Sequence, residues 1–303
     1  DTVRLTRDRW GHWGPALLHL GVVLTLLASW VALQSAGTGV VLLARGETLA
    51  RGGEWGLERY GLWAHSLTLS EDLRLDDVAA TYWPTGQLRQ LRSELAFVAP
   101  DGSETTRSVE VNGSIVRDGV RFYQKQAFGV SVFLTVTAPD QRLLRADIDQ
   151  PAAPDQPGYA DLALDDQGTY LRLKYLVDGE KKSMSGTPEL HARIERAGEV
   201  LGERTIAIGD VLEAGGYAVS LDDVRPWTQI IAVRDHGITF VFLGFAIILI
   251  GSVLTYVFIP RELTVMMDAG GATVAWRAWR FADAYEVERL QLFAEPEGDT
   301  CDD

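Results

Sequence analysis

Trp13-Gly-Pro-Ala-Leu-Leu-His-Leu-Gly-Val-Val-Leu-Thr-Leu-Leu-Ala-Ser-Trp-Val-Ala-Leu33 contains no Asp, Glu, Lys or Arg, and neither does Gly237-Ile-Thr-Phe-Val-Phe-Leu-Gly-Phe-Ala-Ile-Ile-Leu-Ile-Gly-Ser-Val-Leu-Thr-Tyr-Val-Phe-Ile259. At 21 and 23 residues, both are long enough as helices to cross a hydrocarbon core of about 30 Å. The sequence therefore predicts a membrane protein with transmembrane helices at 13–33 and 237–259. Arg4, Arg7 and Arg9 precede the first span, and Arg261, Arg277 and Arg280 follow the second. The positive-inside rule then puts 1–12 and 260–293 in the cytoplasm and 34–236 outside. The expected location is the cytoplasmic (inner) membrane, with the large domain on the periplasmic side. Trp10, Trp13 and Trp30 fall where indoles anchor a helix at the two interfaces. A cleaved signal peptide is the competing reading of the start, but the apolar run is long for one and Gln34 stands where a small residue is wanted.

Of the formal net charge of −14, residues 1–33 carry +1 and 237–303 carry −6, which leaves −9 on 34–236. An acidic domain of this kind argues against nucleic acid and against an anionic membrane surface as its partner. The single cysteine, Cys301, lies in a Glu-, Pro-, Gly- and Asp-containing tail, 294–303, that reads as disordered. One thiol excludes an internal disulfide, a CxxC redox pair and a thiolate metal cage.

Between the spans the apolar pattern has period two, as in Ser66-Leu-Thr-Leu69, Val130 to Val136 and Tyr170 to Val177. Turn signals recur at Pro84-Thr-Gly86, Pro100-Asp-Gly102, Asn112-Gly113, Asp118-Gly119, Asp178-Gly179 and Gly215-Gly216. The fold class expected is membrane-anchored and mainly β: an antiparallel sandwich or open barrel between two helices. Phe122 is expected in its core, with the Tyr123 hydroxyl bonded to backbone. Pro151-Ala-Ala-Pro-Asp-Gln-Pro-Gly158 should divide the strands into two sheets' worth. After the second span, Leu263 to Trp279 reads as a hairpin around Gly270-Gly271. Phe281 to Phe293 reads as one amphipathic helix capping the inner membrane face.

No hydrolytic, phosphate-binding or dinucleotide motif is present. The acidic pairs Glu71-Asp72, Asp76-Asp77, Asp165-Asp166 and Asp222-Asp223 read as solvated turns rather than acid/base machinery. Of the five histidines, His12, His65, His191 and His236 read as exposed or locally satisfied. His19 differs because it lies inside the first span, about 9 Å past Trp13. An ionisable group there marks a functional site by default. Three roles are open to it: axial ligation of a haem, a bond to a neighbouring helix, or a proton relay. His12 is about 10 Å from it along the helix and cannot be the second ligand of the same iron. In the haem reading, that ligand comes from another chain.

Arg9-Trp-Gly-His-Trp-Gly-Pro-Ala-Leu-Leu-His19-Leu-Gly21 resembles the span that precedes the large outside domain in the ResB-like (CcsB) family of system II cytochrome c biogenesis. Tyr82-Trp-Pro-Thr-Gly86, Ser93-Glu-Leu95, Val111-Asn112 and Gly119-Val-Arg-Phe-Tyr-Gln124 are similar to the run that characterises it. Arg234-Asp-His-Gly-Ile238 and Phe242-Leu-Gly-Phe245 resemble its approach to the last span. The resemblance implies a CcsA-like membrane partner, haem export, and attachment of haem to apocytochrome c. It implies haem b held at His19, the position matching the family's span histidine, with a histidine of the partner opposite. The chain would be a non-catalytic or co-catalytic subunit of a holocytochrome c synthase. Two departures stand out: the family usually carries two more helices upstream, and His236 replaces its usual proline. The alternative expectation is a scaffold or accessory subunit of a respiratory or multihaem electron-transfer complex, serving cytochrome subunits without an iron ligand of its own.

Overall fold

A computed structural model describes residues 1–150, 157–176 and 189–293. The stretches 151–156 and 294–303 and the turn Asp178-Gly179 lie outside the described residues. The expectations for a dividing proline segment and a disordered tail therefore fall outside them too. The chain folds as two units, one made of 36–235 and the other of 1–35 with the stretch after 235.

The 36–235 unit is antiparallel β throughout its named strands. Its frame is a seven-stranded sheet in the order Arg142–Asp149, Val120–Ala138, Tyr217–Arg234, Gly37–Ala44, Leu57–Tyr60, with Ser114–Arg117 and Val211–Ala214 paired alongside. The strands Val120–Ala138 and Tyr217–Arg234 are 19 and 18 residues long and pair along their length. Strands of that length rarely stay flat, and this pair carries register shifts at Ala218/Val219, Leu221/Asp223 and Thr228/Ile230. Such bulges add twist, which lets the two halves of the pair face different sheets.

One half packs against Gly158–Ala163, Thr169–Leu176, Glu189–Arg196 and Glu199–Ile206. The core there is built on Val132, Leu134, Leu171, Leu173, Ile194 and Leu221. The other half packs against Thr48–Leu49, Asp72–Tyr82, Leu88–Val98 and Glu104–Glu110, over Leu43, Leu73, Leu75, Leu95, Phe97 and Phe122. The expectation of a mainly β region bracketed by two apolar helices holds. Phe122 is buried and meets Phe97 edge-on at 5.2 Å. Tyr123, one residue along and on the opposite face, is exposed, and its hydroxyl has no hydrogen bond among the described residues. The backbone bond expected for it is not formed, because the strand turns this ring to the exposed face.

The helix-bearing unit contains α1 (Gly14–Ser35) and α2 (Ile238–Tyr256). Both are long and apolar enough to cross a membrane. Their packing is inverted relative to a water-soluble protein. The buried positions are Gly14, Gly21, Ala28 and Ala32 on α1 and Gly244, Gly251 and Thr255 on α2, while Leu26, Leu33, Phe242 and Leu249 are exposed. A Cβ on Gly21 would stand 2.7 Å from the Ile248 amide nitrogen, and one on Gly244 2.9 Å from that of Thr25. Small residues thus bring the two backbones together, the arrangement that replaces hydrophobic driving force where the solvent is itself apolar. α1 is preceded by a 3-10 turn, Arg9–Trp13, and α2 stops before Ile259, whose helical conformation Pro260 disfavours.

The hairpin expected after the second span is present as Arg261–Asp268 and Gly271–Ala278. The N-terminal segment, however, is a strand, Thr2–Arg7, which pairs with Arg261–Asp268 to complete a three-stranded sheet. Phe281 to Phe293 is not one helix. Phe281 sits in the left-handed region (φ 50°), a short 3-10 turn Ala282–Tyr285 follows, and α3 occupies only Glu286–Phe293.

Candidate functional site

α1 begins Gly14-Pro15, and proline suits a first helical turn because the N–H it lacks would have no partner there. The Pro15 carbonyl is directed along the helix at residue 19. His19 Nδ1 lies 2.6 Å from that oxygen. A carbonyl only accepts, so Nδ1 donates, and Nε2 is the ring nitrogen left to offer a lone pair. Histidines that ligate metals are commonly oriented in this way, by a hydrogen bond from the second nitrogen to a carbonyl.

Gly21 lies on the buried seam, and two residues at 100° each turn His19 about 160° away from it. The ring is accordingly exposed on the face opposite α2. Ala16, Val23 and Leu26, at offsets of −3, +4 and +7, share that face and are exposed. The site is thus one oriented imidazole on an apolar stripe. A bond from His19 to the other long helix of this chain is ruled out by the packing.

The remaining histidines are apart from it. His12 is exposed and stands edge-on to the Trp279 indole at 4.8 Å. His191 shares a 2.7 Å hydrogen bond with the Thr205 hydroxyl, and His65 and His236 are exposed. Trp10 and Trp13 are exposed at the Pro15 end of α1, and Trp30 is exposed near its other end.

The acidic pairs need correction, because only Asp165-Asp166 lies in a turn. Asp76-Asp77 and Asp222-Asp223 lie within long strands, and Glu71 is buried beneath a bidentate pair with Arg117 at 2.6 and 2.7 Å. Strand positions can bury one carboxylate of a pair while its neighbour faces water, and adjacent arginines then compensate the charge. In the turn, the Thr169 and Tyr217 hydroxyls, with the backbone amides of Thr169 and Gln167, hold the Asp165 carboxyl well below the usual carboxylate range. Burial pushes the Tyr175 hydroxyl up to about 12. None of these groups converges on a shared site.

The motif residues between the spans have a structural explanation. The Ser93 hydroxyl donates to Gln124 Oε1 at 2.5 Å, and Gln124 Nε2 donates to the Thr228 hydroxyl at 2.5 Å and the Lys125 carbonyl at 2.8 Å. All three side chains are buried, and together they pin Leu88–Val98 to the long strand pair. Asp118 and Gly119, both at positive φ (50° and 74°), form the two-residue turn that leads into Val120–Ala138.

The ResB-like family profile matches residues 2–176, more than half of the chain. The chain belongs to the ResB-like family. Its curated relatives include the cytochrome c biogenesis protein CcsB of Gloeobacter violaceus, 24% identical over 301 residues, covering 97% of this chain and 60% of that protein. The protein of the same name from Synechococcus sp. strain CC9605 is 28% identical over 291 residues, covering 94% of this chain and 61% of its own length. That of Synechococcus sp. strain WH7803 is 27% identical over 273 residues, at 89% and 57%. This ResB-like chain therefore spans about three fifths of the length of these relatives. Sequence reasoning identified His19 but not Pro15, the partner that orients it. The available signal was the four-residue spacing of a proline carbonyl and a histidine within one helix.

Proposed function

We propose that this chain is a membrane component of cytochrome c biogenesis, anchored by α1 and α2 in the cytoplasmic membrane with the 36–235 unit on the periplasmic side. His19 supplies one axial ligand to haem b carried between this chain and a CcsA-like partner on its way to apocytochrome c. Family membership and the names of the curated relatives support the process. The small-residue seam with large apolar side chains outside supports the membrane, and the arginines beside the spans support the orientation.

The observation that carries the haem reading is the outward-facing His19 Nε2, with its lone pair fixed by the Nδ1 bond to Pro15. These residues fit the group: a neutral imidazole suits haem iron, and Ala16, Val23 and Leu26 offer an apolar wall for the macrocycle. In this account haem is cargo, and the role of the chain is to hold and orient it. No side chain here is assigned an acid, base or nucleophile role.

Native mass spectrometry of the complex purified from its own membrane, with pyridine haemochrome analysis, tests the reading. A CcsA-like chain and b-type haem in the same particle are expected. Co-purification with multihaem cytochromes, and no b-type haem, would replace this reading with the scaffold one.

A further inference from the structure

The three-stranded sheet of the helix-bearing unit has one mainly polar and one mainly apolar face. Its register stacks Val3, Val265 and Val274 in one rung and Leu5, Leu263 and Trp276 in another, both pointing to the same side. Thr2, Arg4, Thr6, Glu262, Thr273 and Arg277 point to the other, with Met266 the one large apolar side chain among them. The apolar side is open at its edges, with Leu5 60% exposed, Val3 48% and Val274 40%, while Leu263, Val265 and Trp276 are half-buried and Glu288 of α3 reaches Arg7 and Arg261 at its fixed end. A contiguous apolar surface of this kind marks an interaction site.

We propose that this face lies in the headgroup region of the membrane leaflet that receives the Pro15 end of α1, so that the sheet rests on the bilayer as a monotopic plate. The inference rests on α1 and α2 being spans. Its ground is the way the sheet is tied to the helix ends. Arg261 pairs with Asp8, which precedes the turn into α1, the Trp279 amide donates to the Pro260 carbonyl at 3.1 Å, and Arg280 reaches the Thr255 carbonyl of α2 at 3.4 Å.

The rung at that fixed end is Arg7, Arg261 and Ala278. At about 3.3 Å per residue, the two apolar rungs lie about 7 and 13 Å from it, so both stay at headgroup depth when the sheet lies along the membrane surface, as a plate does. The headgroup region is itself about 5–8 Å deep on each side of the core. Residue chemistry agrees: Trp276 lies on the apolar face, Trp10, Trp13 and Trp279 are exposed in the segments that join the sheet to the helices, and Arg7 and Arg9 stand at the same end. Indoles and arginines are the side chains that favour this layer.

Spin-label accessibility tests the proposal on the full chain carrying Cys301→Ser, in nanodiscs of phosphatidylethanolamine and phosphatidylglycerol. Labels are placed at Leu5→Cys and Val274→Cys on the apolar face, at Thr273→Cys on the polar face, and at Leu26→Cys on α1. Labels at 5 and 274 are expected to meet dissolved oxygen more than a nickel chelate, and the label at 273 the reverse. If those at 5 and 274 meet the chelate as freely as the one at 273, the face is in water and the proposal is overturned. If they are shielded from both reagents, a protein covers the face and the proposal is likewise overturned. Oxygen preference at Leu26→Cys with water access at 5 and 274 sinks this inference alone. Chelate access at Leu26→Cys sinks the membrane reading with it.

Discussion

Gln124→Met replaces the middle of a buried hydrogen-bond chain by a side chain of similar length that cannot continue it. Ser93 and Thr228 are fully buried and Gln124 is 5% exposed, so no water is at hand to take over. The Ser93 hydroxyl loses its acceptor, at a cost of about 1–3 kcal/mol for a buried donor left unpaired. The bond to Thr228 is lost as well, about 1 kcal/mol, although that hydroxyl keeps the Ala127 carbonyl at 3.2 Å. The expected destabilisation is about 2–4 kcal/mol, read by urea unfolding of the detergent-purified full chain followed by near-ultraviolet circular dichroism. Because the cost comes from an orphaned partner, Ser93→Ala in the Gln124→Met background should cost less than Ser93→Ala alone, with a coupling of about 1 kcal/mol or more. A Gln124→Met protein within about 0.5 kcal/mol of the parent, a difference typical of an uninvolved surface site, or strictly additive costs, would refute the pinning role.

Phe122→Ala should cost about 3–5 kcal/mol in the same assay, because the ring is fully buried against Phe97. Gly21→Leu should lower the thermal midpoint of the detergent-solubilised chain and separate α1 from α2, since even a Cβ there meets the α2 backbone; an unchanged midpoint would show that the seam is not close-packed. Asp165 has a folded-state pKa depressed by its hydrogen bonds, so its stabilisation is complete above the unfolded value near 3.9 and is lost as the pH falls below it. The stability gap between the parent and Asp165→Asn should therefore be constant from pH 5 to 8 and close below about pH 4; a gap that widens in acid would contradict the assignment.

What could be read from the chain followed the strength of its periodic signals. Two uncharged runs of membrane length gave α1 and α2 to within three residues at each end, and the alternation around Phe122 gave a buried ring on a strand. Thr2–Arg7 escaped because it has only two apolar residues, and its pairing partner lies more than 250 positions away; local pattern carries no information about such a contact. The single helix expected over 281–293 failed at Phe281, whose left-handed backbone no periodicity reveals. The carboxylate pairs were misread for a related reason: hydrophilic neighbours suggested turns, whereas Arg117 folds back over Glu71 from 46 residues away. His19 stood out because an imidazole is conspicuous among aliphatic neighbours. Its orientation away from α2 depended on which face carried the glycines, and its tautomer on where the Pro15 carbonyl pointed.

The haem-ligand role is tested most directly by the absorption spectrum of the complex carrying His19→Ala, purified with its partner chain beside the parent. One uncharged substitution leaves the hydrophobic length of α1 intact, so membrane insertion and partner recovery should be unchanged. The parent is expected to show a low-spin bis-histidine signature that disappears from the variant, and added imidazole should restore part of it by entering the space left by the ring. An unchanged low-spin spectrum in His19→Ala, at the same haem content per chain, would contradict the account and remove His19 from the path of haem.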